Sequence, residues 1–209
     1  GDRWGEVLLT SYYEPIIPGA KKKSEQFSAP LMLTPKDLIS VKVSKFDRRF
    51  SEIRTMRGRM EKDKETGKEM LFPYPDRKEI FNGALDKKSL EICWVDPIEG
   101  FFLQVQGSGR VHLSEGGDLR LGYDDQNGHP YVPIGKFLTD VIPLKEMTLG
   151  KIEAHLRSID PAQRDRILNE NPSYVFFRVL KGEPVTSVGT EVIAGRTIAT
   201  DARFFPKGT

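Results

Sequence analysis

Strand-like segments recur along most of this chain, whereas helical patterns occur in only three places. The segments at 6–13, 38–46, 90–95 and 173–180 are rich in β-branched and aromatic residues, which favour strands. Strands and helices do not alternate as a parallel, doubly wound sheet requires. The pattern therefore predicts a mainly β fold with few short helices, of the barrel or sandwich type.

Capping signals mark the three predicted helices. One begins at Asp76, and Glu79 stands three residues later, which is the spacing of a capping box. The second begins at Thr148. The third begins at Asp160, which Pro161 follows in the position that proline favours.

Turn residues predict how several strands connect. Residues 90–95 and 100–106 are predicted to form a hairpin, because the Asp-Pro sequence in 96–99 is typical of a turn. A charged hairpin is predicted at 60–71, with its turn at Thr66 and Gly67. The Pro-, Gly- and Lys-rich stretch at 15–30 is predicted to be a loop.

Composition excludes several classes of function. The 209 residues carry a net charge of only +2, so we expect no nucleic-acid partner. Cys93 is the single cysteine, so it forms no internal disulfide, and it is predicted to be buried. His112, His129 and His155 lack metal-ligand spacing, and we expect neither a metal nor another cofactor. No apolar run is long enough for a membrane-spanning helix.

The segment VQGSGRV at 105–111 has two interpretations. It is not a nucleophile elbow, because Gly107 and Gly109 flank Ser108 directly instead of standing two residues away. One interpretation is a tight turn that needs a positive φ angle. The other is close approach of a ligand to the backbone, with Gln106 and Ser108 supplying hydrogen bonds.

A second polar segment spans residues 122–135, which are predicted to form a loop. Tyr123, Asn127 and Tyr131 lie in it. It is either a polar turn or a carbohydrate site, because aromatic rings stack on sugar faces and planar amides bind hydroxyl groups.

Two carboxylates outside these segments are candidates. Glu14 follows Tyr13 at a strand end and is either a turn residue or a catalytic carboxylate. Asp201 lies between an apolar strand and a Pro-Gly turn, where it either caps the turn or lines a cleft.

Five stretches stand out together: LTSYYEP, PYPDRKEIFNGAL, FFLQVQGSGRVHL, YDDQNGHPYVPIGKFL and NPSYVFFR. Taken together, they resemble the MltA family of membrane-bound lytic murein transglycosylases. The likeness runs in consistent order over residues 7 to 209. It implies a double-psi β-barrel built from residues 1–35 and 182–209, a second, smaller barrel inserted at 36–181, and a glycan groove between them.

The resemblance also implies which residues contact substrate. They are Tyr13, Glu14, Gln106, Gly107, Ser108, Gly109, Tyr123, Asn127, Gly128, Tyr131 and Ser173. Asp201 matches the first of three aspartates that name the family's C-terminal domain, and is expected to neighbour the catalytic acid. The other two would lie beyond Thr209, together with the last barrel strands, so we expect the natural chain to be longer.

The activity implied is cleavage of the β-1,4 bond between N-acetylmuramic acid and N-acetylglucosamine in peptidoglycan, with formation of a 1,6-anhydro ring. Two alternatives stay open: a non-catalytic peptidoglycan-binding fragment, and a murein hydrolase that uses Glu14 or Asp201. The family further implies a periplasmic location, a lipoprotein anchor to the outer membrane and partners in a cell-wall synthesis complex.

Overall fold

The computed structural model describes residues 14–47, 49 and 55–182. The chain divides into two compact units, Gly1–Val179 and Leu180–Thr209, and only the first three residues of the second unit are described. Tyr13, Asp201, the predicted strand at 6–13 and the apolar strand predicted before Asp201 lie outside the described residues.

Nine strands and four α-helices make up the described part of the chain. The strands are β1 (Ile16–Ala20), β2 (Ala29–Met32), β3 (Ile39–Val41), β4 (Met56–Lys62), β5 (Glu69–Pro73), β6 (Glu91–Val95), β7 (Ser108–Leu113), β8 (Asp118–Gln126) and β9 (Val175–Leu180). The helices are α1 (Arg77–Phe81), α2 (Pro97–Gln106), α3 (Leu149–Ser158) and α4 (Pro161–Leu168). The predicted mainly β fold with few short helices is therefore confirmed.

Six strands form one nearly closed barrel sheet. Their order is β2-β6-β1-β7-β8-β9. Strand β1 pairs antiparallel with β6 and parallel with β7. A parallel bridge between Leu33 and Phe177 links the two outer strands, which brings the edges of the sheet together. A closed sheet leaves few unpaired strand edges.

The barrel encloses an apolar core. Leu31, Cys93, Val111, Leu121 and Phe177 come from different strands and are all fully buried. Burying a side chain of this kind stabilises the fold by about 1.5–3 kcal/mol. The predicted burial of Cys93 is confirmed, and burial raises the pKa of its thiol to about 12.

Strands β3, β4 and β5 form a separate antiparallel sheet. The β4–β5 hairpin is the charged hairpin that the sequence predicts. Its turn includes Gly67, which has a φ of 69°, and Asp63 Oδ1 accepts a hydrogen bond from the Thr66 main-chain N–H at 2.7 Å. Glycine adopts such positive φ angles without the steric cost of a Cβ atom.

The predicted hairpin at 90–106 is wrong in its second half, because residues 97–106 form helix α2. Asp96 is the N-cap of this helix, where its Oδ1 accepts hydrogen bonds from the main-chain N–H groups of Ile98 and Glu99. Pro97 occupies the first helical turn. An Asp-Pro pair thus begins a helix here, although the same pair is also typical of a turn.

Packing explains why apolar residues 101–103 are helical. Leu103 joins the core of the barrel, whereas Ile98 and Phe101 join a second cluster with Leu156 of α3 and Leu168 of α4. A helix presents apolar side chains to both clusters, and this tertiary packing overrides the strand preference of the segment.

Two other local predictions are corrected. The stretch at 15–30 contains strand β1 and the start of β2, and only the residues between them form a loop. The predicted strand at 38–46 is shortened to β3, and a 3₁₀ turn over Val43–Lys45 follows it. The predicted helices beginning at Asp76, Thr148 and Asp160 are confirmed, including the capping box of Asp76 and Glu79.

Candidate functional site

The turn from α2 into β7 lies at the centre of the candidate site. Gly107 ends the helix with a φ of 83°, and its N–H bonds to the carbonyl of Leu103. The predicted positive-φ turn is therefore confirmed. Gln106 is exposed on the last helical position, and Ser108 opens β7 opposite Gly122.

Gly109 is a glycine for reasons of packing. A Cβ atom at this position would lie 2.3 Å from Leu103 Cδ1 and 2.8 Å from the carbonyl oxygen of Pro15. The residue is buried, so its backbone is approached by the protein and not by solvent. Gly109 therefore serves the packing of the protein and gives no support to the interpretation that a ligand approaches the backbone here.

Tyr123 lies beside this turn. It belongs to β8, which extends to Gln126, so the predicted loop at 122–135 begins later than expected. A Cβ atom at Gly107 would lie 3.9 Å from the Cβ of Tyr123, which places the two predicted segments next to each other. The Tyr123 side chain is 44% exposed. An accessible tyrosine therefore lies beside Gly107, the residue between Gln106 and Ser108, and a surface that stacks on sugars requires such an accessible ring.

Arg57 of β4 is a neighbour of this surface that the sequence did not indicate. Burial raises the pKa of Tyr123, and the positive charge of Arg57 opposes that change. The Nε of Arg57 lies 2.6 Å from Oδ1 of Asp125. A Cβ atom at Gly128 would lie 2.8 Å from the Cβ of Arg57, so Gly128, whose φ is 91°, lets β4 come close.

Asn127 is placed differently from the prediction. Its side chain has no exposed surface. The Nδ2 group donates to the carbonyls of Pro75 and Pro172, both at 2.9 Å, and Oδ1 accepts from the main-chain N–H of Tyr174 at 2.9 Å. Because these bonds occupy the amide, Asn127 fixes three chain segments and does not present its side chain to a glycan.

Ser173 also belongs to the framework. It is 8% exposed, and its carbonyl oxygen accepts hydrogen bonds from Nε and Nη2 of Arg77. Tyr131, by contrast, is 51% exposed and available to a ligand. The predicted set therefore separates into exposed residues that can bind and buried residues that hold the loops in place.

Glu14 is held by two arginines. Its Oε2 lies 2.9 Å from Nε of Arg110, and its Oε1 lies 3.0 Å from Nε of Arg120. Burial raises the pKa of Glu14, but the hydrogen bonds and charges of the two arginines outweigh burial and leave the pKa below its usual range. A carboxylate stabilised in this way is a poor proton donor at neutral pH.

The described residues contain no group of three His, Cys, Asp or Glu side chains arranged to hold a metal ion. Within that same part of the chain, no helix is long and apolar enough to cross a membrane.

Similar proteins were found by sequence. A chain from Vibrio cholerae named membrane-bound lytic murein transglycosylase A is 30% identical over 214 residues, which cover 100% of this chain and 49% of the relative. A protein of the same name from Escherichia coli K12 is 28% identical over 212 residues, again 100% of this chain and 49% of the relative. This chain thus spans about half the length of the curated relatives it matches.

Solved structures share the fold. MltA from Neisseria gonorrhoeae superposes with a TM-score of 0.73 at 30% identity, covering 88% of this chain and 52% of that one. A membrane-bound lytic murein transglycosylase from Agrobacterium tumefaciens gives 0.70 at 28% identity, covering 90% and 51%. Escherichia coli MltA with bound chitohexaose gives 0.64 at 24% identity, covering 94% and 50%.

The sequence model of the MltA specific insert domain matches residues 8–178, and this match shows that the chain belongs to the MltA family.

Proposed function

We propose that this chain forms part of a peptidoglycan lytic transglycosylase and supplies part of its glycan-binding surface. The observation that carries the proposal is the exposed Tyr123 beside Gly107, at the meeting point of two segments characteristic of the family. Gly107 and Gly128 shape the backbone of this surface, and exposed Tyr131 extends it.

The reaction we propose is cleavage of the β-1,4 bond between N-acetylmuramic acid and N-acetylglucosamine. The C6 hydroxyl of the muramic acid attacks its own C1, the glycosidic bond breaks, and a 1,6-anhydro ring forms. An intramolecular nucleophile that is well oriented has an effective molarity of about 10⁵ M or more. One carboxyl group then suffices, because it can protonate the leaving oxygen and afterwards accept the proton of the C6 hydroxyl.

We assign Asp201 a place beside that carboxyl group, where it would adjust the group's hydrogen bonds. Glu14 does not suit the acid's role, because its two arginines keep its carboxylate charged. This ion pairing counts against the alternative of a hydrolase that uses Glu14. Digestion of murein sacculi distinguishes the main proposal from the alternative of a binding fragment without activity.

The same proposal includes the domain organisation of the chain and its cellular location. The resemblance divides the chain into a double-psi barrel of residues 1–35 and 182–209 and an inserted domain of residues 36–181. We propose this division with an earlier first boundary, because β1 and β2 pair in one sheet with β6 and β7, which places residues 16–32 in the inserted domain. The protein would act in the periplasm, attached to the outer membrane by a lipoprotein anchor.

The test is digestion of purified murein sacculi with the 209-residue chain, with products identified by mass spectrometry. Anhydro-muropeptides are expected for a transglycosylase, and their absence from the products of an Asp201→Asn variant would place Asp201 close to the chemistry. Products with ordinary reducing ends would identify a hydrolase instead. Retention of folded protein on sacculi without any product would identify a binding fragment.

A further inference from the structure

The structure contains a cavity of about 260 Å³. It is bounded by strands β2 and β6 and by helices α1, α2 and α4. None of the site residues predicted from the sequence lines it. Leu31, Trp94 and Phe101 give it apolar walls, as ligand pockets in proteins commonly have.

Arg77 is the unusual group in the wall of this cavity. It is 8% exposed. Its Nε donates to the carbonyls of Asn171 and Ser173 at 3.1 and 3.0 Å, and its Nη2 donates to Gln104 Oε1 and the Ser173 carbonyl, both at 2.6 Å. Its guanidinium carbon also lies 4.8 Å from the centre of the Phe101 ring.

All these partners are neutral. Within residues 14–47, 49 and 55–182, no carboxylate lies within ion-pair distance of Arg77. Burial lowers the pKa of Arg77 to about 10, so the guanidinium still carries its charge at neutral pH. A buried charge without a counter-ion is costly, and a ligand carboxylate in the adjoining cavity would offset that cost. Nε and Nη2 of Arg77 already donate to these partners, so Nη1 is the donor group that a ligand carboxylate would use.

The other charged residues in the wall restrict the kind of ligand. Lys23 adds a second cation, with its Nζ 5.4 Å from the centre of the Trp94 ring. Three acidic residues also line the cavity: Asp86, Glu91 and Asp165. Of these three acids, only Asp165 forms an ion pair with another described residue, namely Arg164 at 2.8 Å. A phosphate or a dianion would meet repulsion from these acids, whereas a ligand with one carboxylate and one ammonium group would match both signs of charge.

We propose that this cavity binds the zwitterionic end of an amino acid or short peptide, with Arg77 as the counter-ion of its carboxylate. The acidic residues of the wall receive its ammonium group. The cavity is smaller than the range of about 300–1,000 Å³ typical of drug-sized ligands, so it accommodates a single residue rather than a long peptide. If the proposed function holds, the ligand is the diamino-acid residue of a murein peptide. This identification of the ligand rests on the proposed function.

The direct test is calorimetric titration of the 209-residue chain with the tripeptide L-alanyl-γ-D-glutamyl-meso-diaminopimelate. Saturable binding is expected. Acetylation of the free amine on the diaminopimelate side chain should weaken binding about tenfold or more, because it removes the ammonium charge. Absence of saturable binding up to about 10 mM tripeptide would overturn the proposal, and equal binding of the acetylated peptide would overturn its zwitterionic part.

Variants separate the cavity from other surfaces. Ser28 lines the cavity and makes none of the hydrogen bonds found among the described residues of its wall. Ser28→Trp should therefore fill the cavity, keep the fold and weaken binding about tenfold or more. Lys23→Met should weaken binding, whereas Lys22→Met, which removes the adjacent exposed charge, should leave it unchanged. A folded Ser28→Trp protein that binds the tripeptide as tightly as the parent would contradict the proposal.

The tripeptide titration and the digestion of sacculi can give opposite outcomes, so they test the cavity ligand and the proposed function separately. If the chain binds the tripeptide but neither degrades nor adheres to sacculi, the result supports the peptide site and contradicts the proposed murein function. If the chain releases anhydro-muropeptides but does not bind the tripeptide, the result supports the proposed activity and contradicts the proposed cavity ligand.

Discussion

Asn127 and Tyr174 bind each other through two hydrogen bonds. Oδ1 of Asn127 accepts from the main-chain N–H of Tyr174 at 2.9 Å, and the main-chain N–H of Asn127 donates to the carbonyl of Tyr174 at 3.0 Å. The same side chain donates to the carbonyls of Pro75 and Pro172. One buried amide thus connects the end of β8 to the segments before α1 and before β9.

The first prediction is that Asn127→Ala destabilises the protein and affects glycan binding only through folding. Truncation leaves the N–H of Tyr174 and the carbonyl of Pro75 without these partners in the interior, while the carbonyl of Pro172 keeps its bond to the N–H of Arg77. We therefore expect a loss of about 3 kcal/mol in the free energy of unfolding. Urea denaturation followed by circular dichroism measures this loss. Asn82→Ala, at an exposed asparagine, should change stability by less than about 0.5 kcal/mol.

Retention on sacculi provides the second part of this test. At a temperature where Asn127→Ala remains folded, the variant should bind sacculi like the parent chain. A folded variant with lost binding would show that Asn127 contacts the glycan after all.

The second prediction concerns Glu14 and pH. The folded-state pKa of Glu14 lies below its ordinary value of 4.5, so its ion pairs with Arg110 and Arg120 add stability that is fully present above that value. As pH falls through the lowered folded pKa, this contribution disappears. Glu14→Gln should therefore be less stable than the parent by about 1–3 kcal/mol at pH 7, and the difference should shrink as the pH falls below 4.5.

Urea unfolding of both proteins at pH 7, 5, 4 and 3 checks this dependence. The same variant tests the catalytic alternative, because Glu14→Gln should still release any anhydro-muropeptides that the parent releases. A stability difference independent of pH would mean that the charge of Glu14 is not involved, and complete loss of turnover in a folded variant would revive Glu14 as a catalyst.

Local signals in the sequence predicted some parts of the structure well. The capping box of Asp76 and Glu79 depends on residues three apart, and the structure contains both of its hydrogen bonds. The positive φ of Gly107 is likewise a property of one short turn. In both cases the residues that determine the conformation are adjacent in sequence.

Other parts depended on residues far apart in sequence. Helix α2 contains the strand-like run FFLQVQ, and its helical state follows from packing against the barrel on one side and Leu156 and Leu168 on the other. Strand β1 pairs with β7 about ninety positions away, and its sequence of Pro and Gly resembles a loop. The burial of Arg77 has no signature in the sequence PDRKEIF, because the carbonyls that bind it come from residues 171 and 173.

The same distinction applies to the candidate site. The residue types in the segments at 105–111 and 122–135 indicated polar surfaces, and Tyr123 and Tyr131 are exposed. Burial separated Asn127 and Ser173 from them, and burial depends on the whole fold. Arg57 was missed because β4 meets Gly128 only in three dimensions.

The third prediction contrasts two glycines. Gly109→Ala should destabilise the protein by about 1–3 kcal/mol, because its Cβ would overlap Leu103 and the carbonyl of Pro15. Gly150→Ala lies in α3 with no atom near the new Cβ, so it should stabilise by about 0.5–1 kcal/mol through the helix preference of alanine. Opposite shifts of the thermal midpoint are expected in calorimetry, and two shifts of the same sign would disprove the packing explanation.

The fourth prediction tests the proposed glycan surface directly. Tyr123→Ala removes an exposed ring beside Gly107, so stability should change little. Retention on sacculi should weaken about tenfold, the loss typical of an aromatic anchor worth about 1.4 kcal/mol. Tyr131→Ala should act in the same direction if that ring extends the surface. Phe137→Ala is the matched control, because Phe137 is a similarly exposed ring outside the predicted set. Co-sedimentation with sacculi at increasing protein concentration gives the three affinities, and equal affinities for Tyr123→Ala, Phe137→Ala and the parent would remove Tyr123 from the proposed surface.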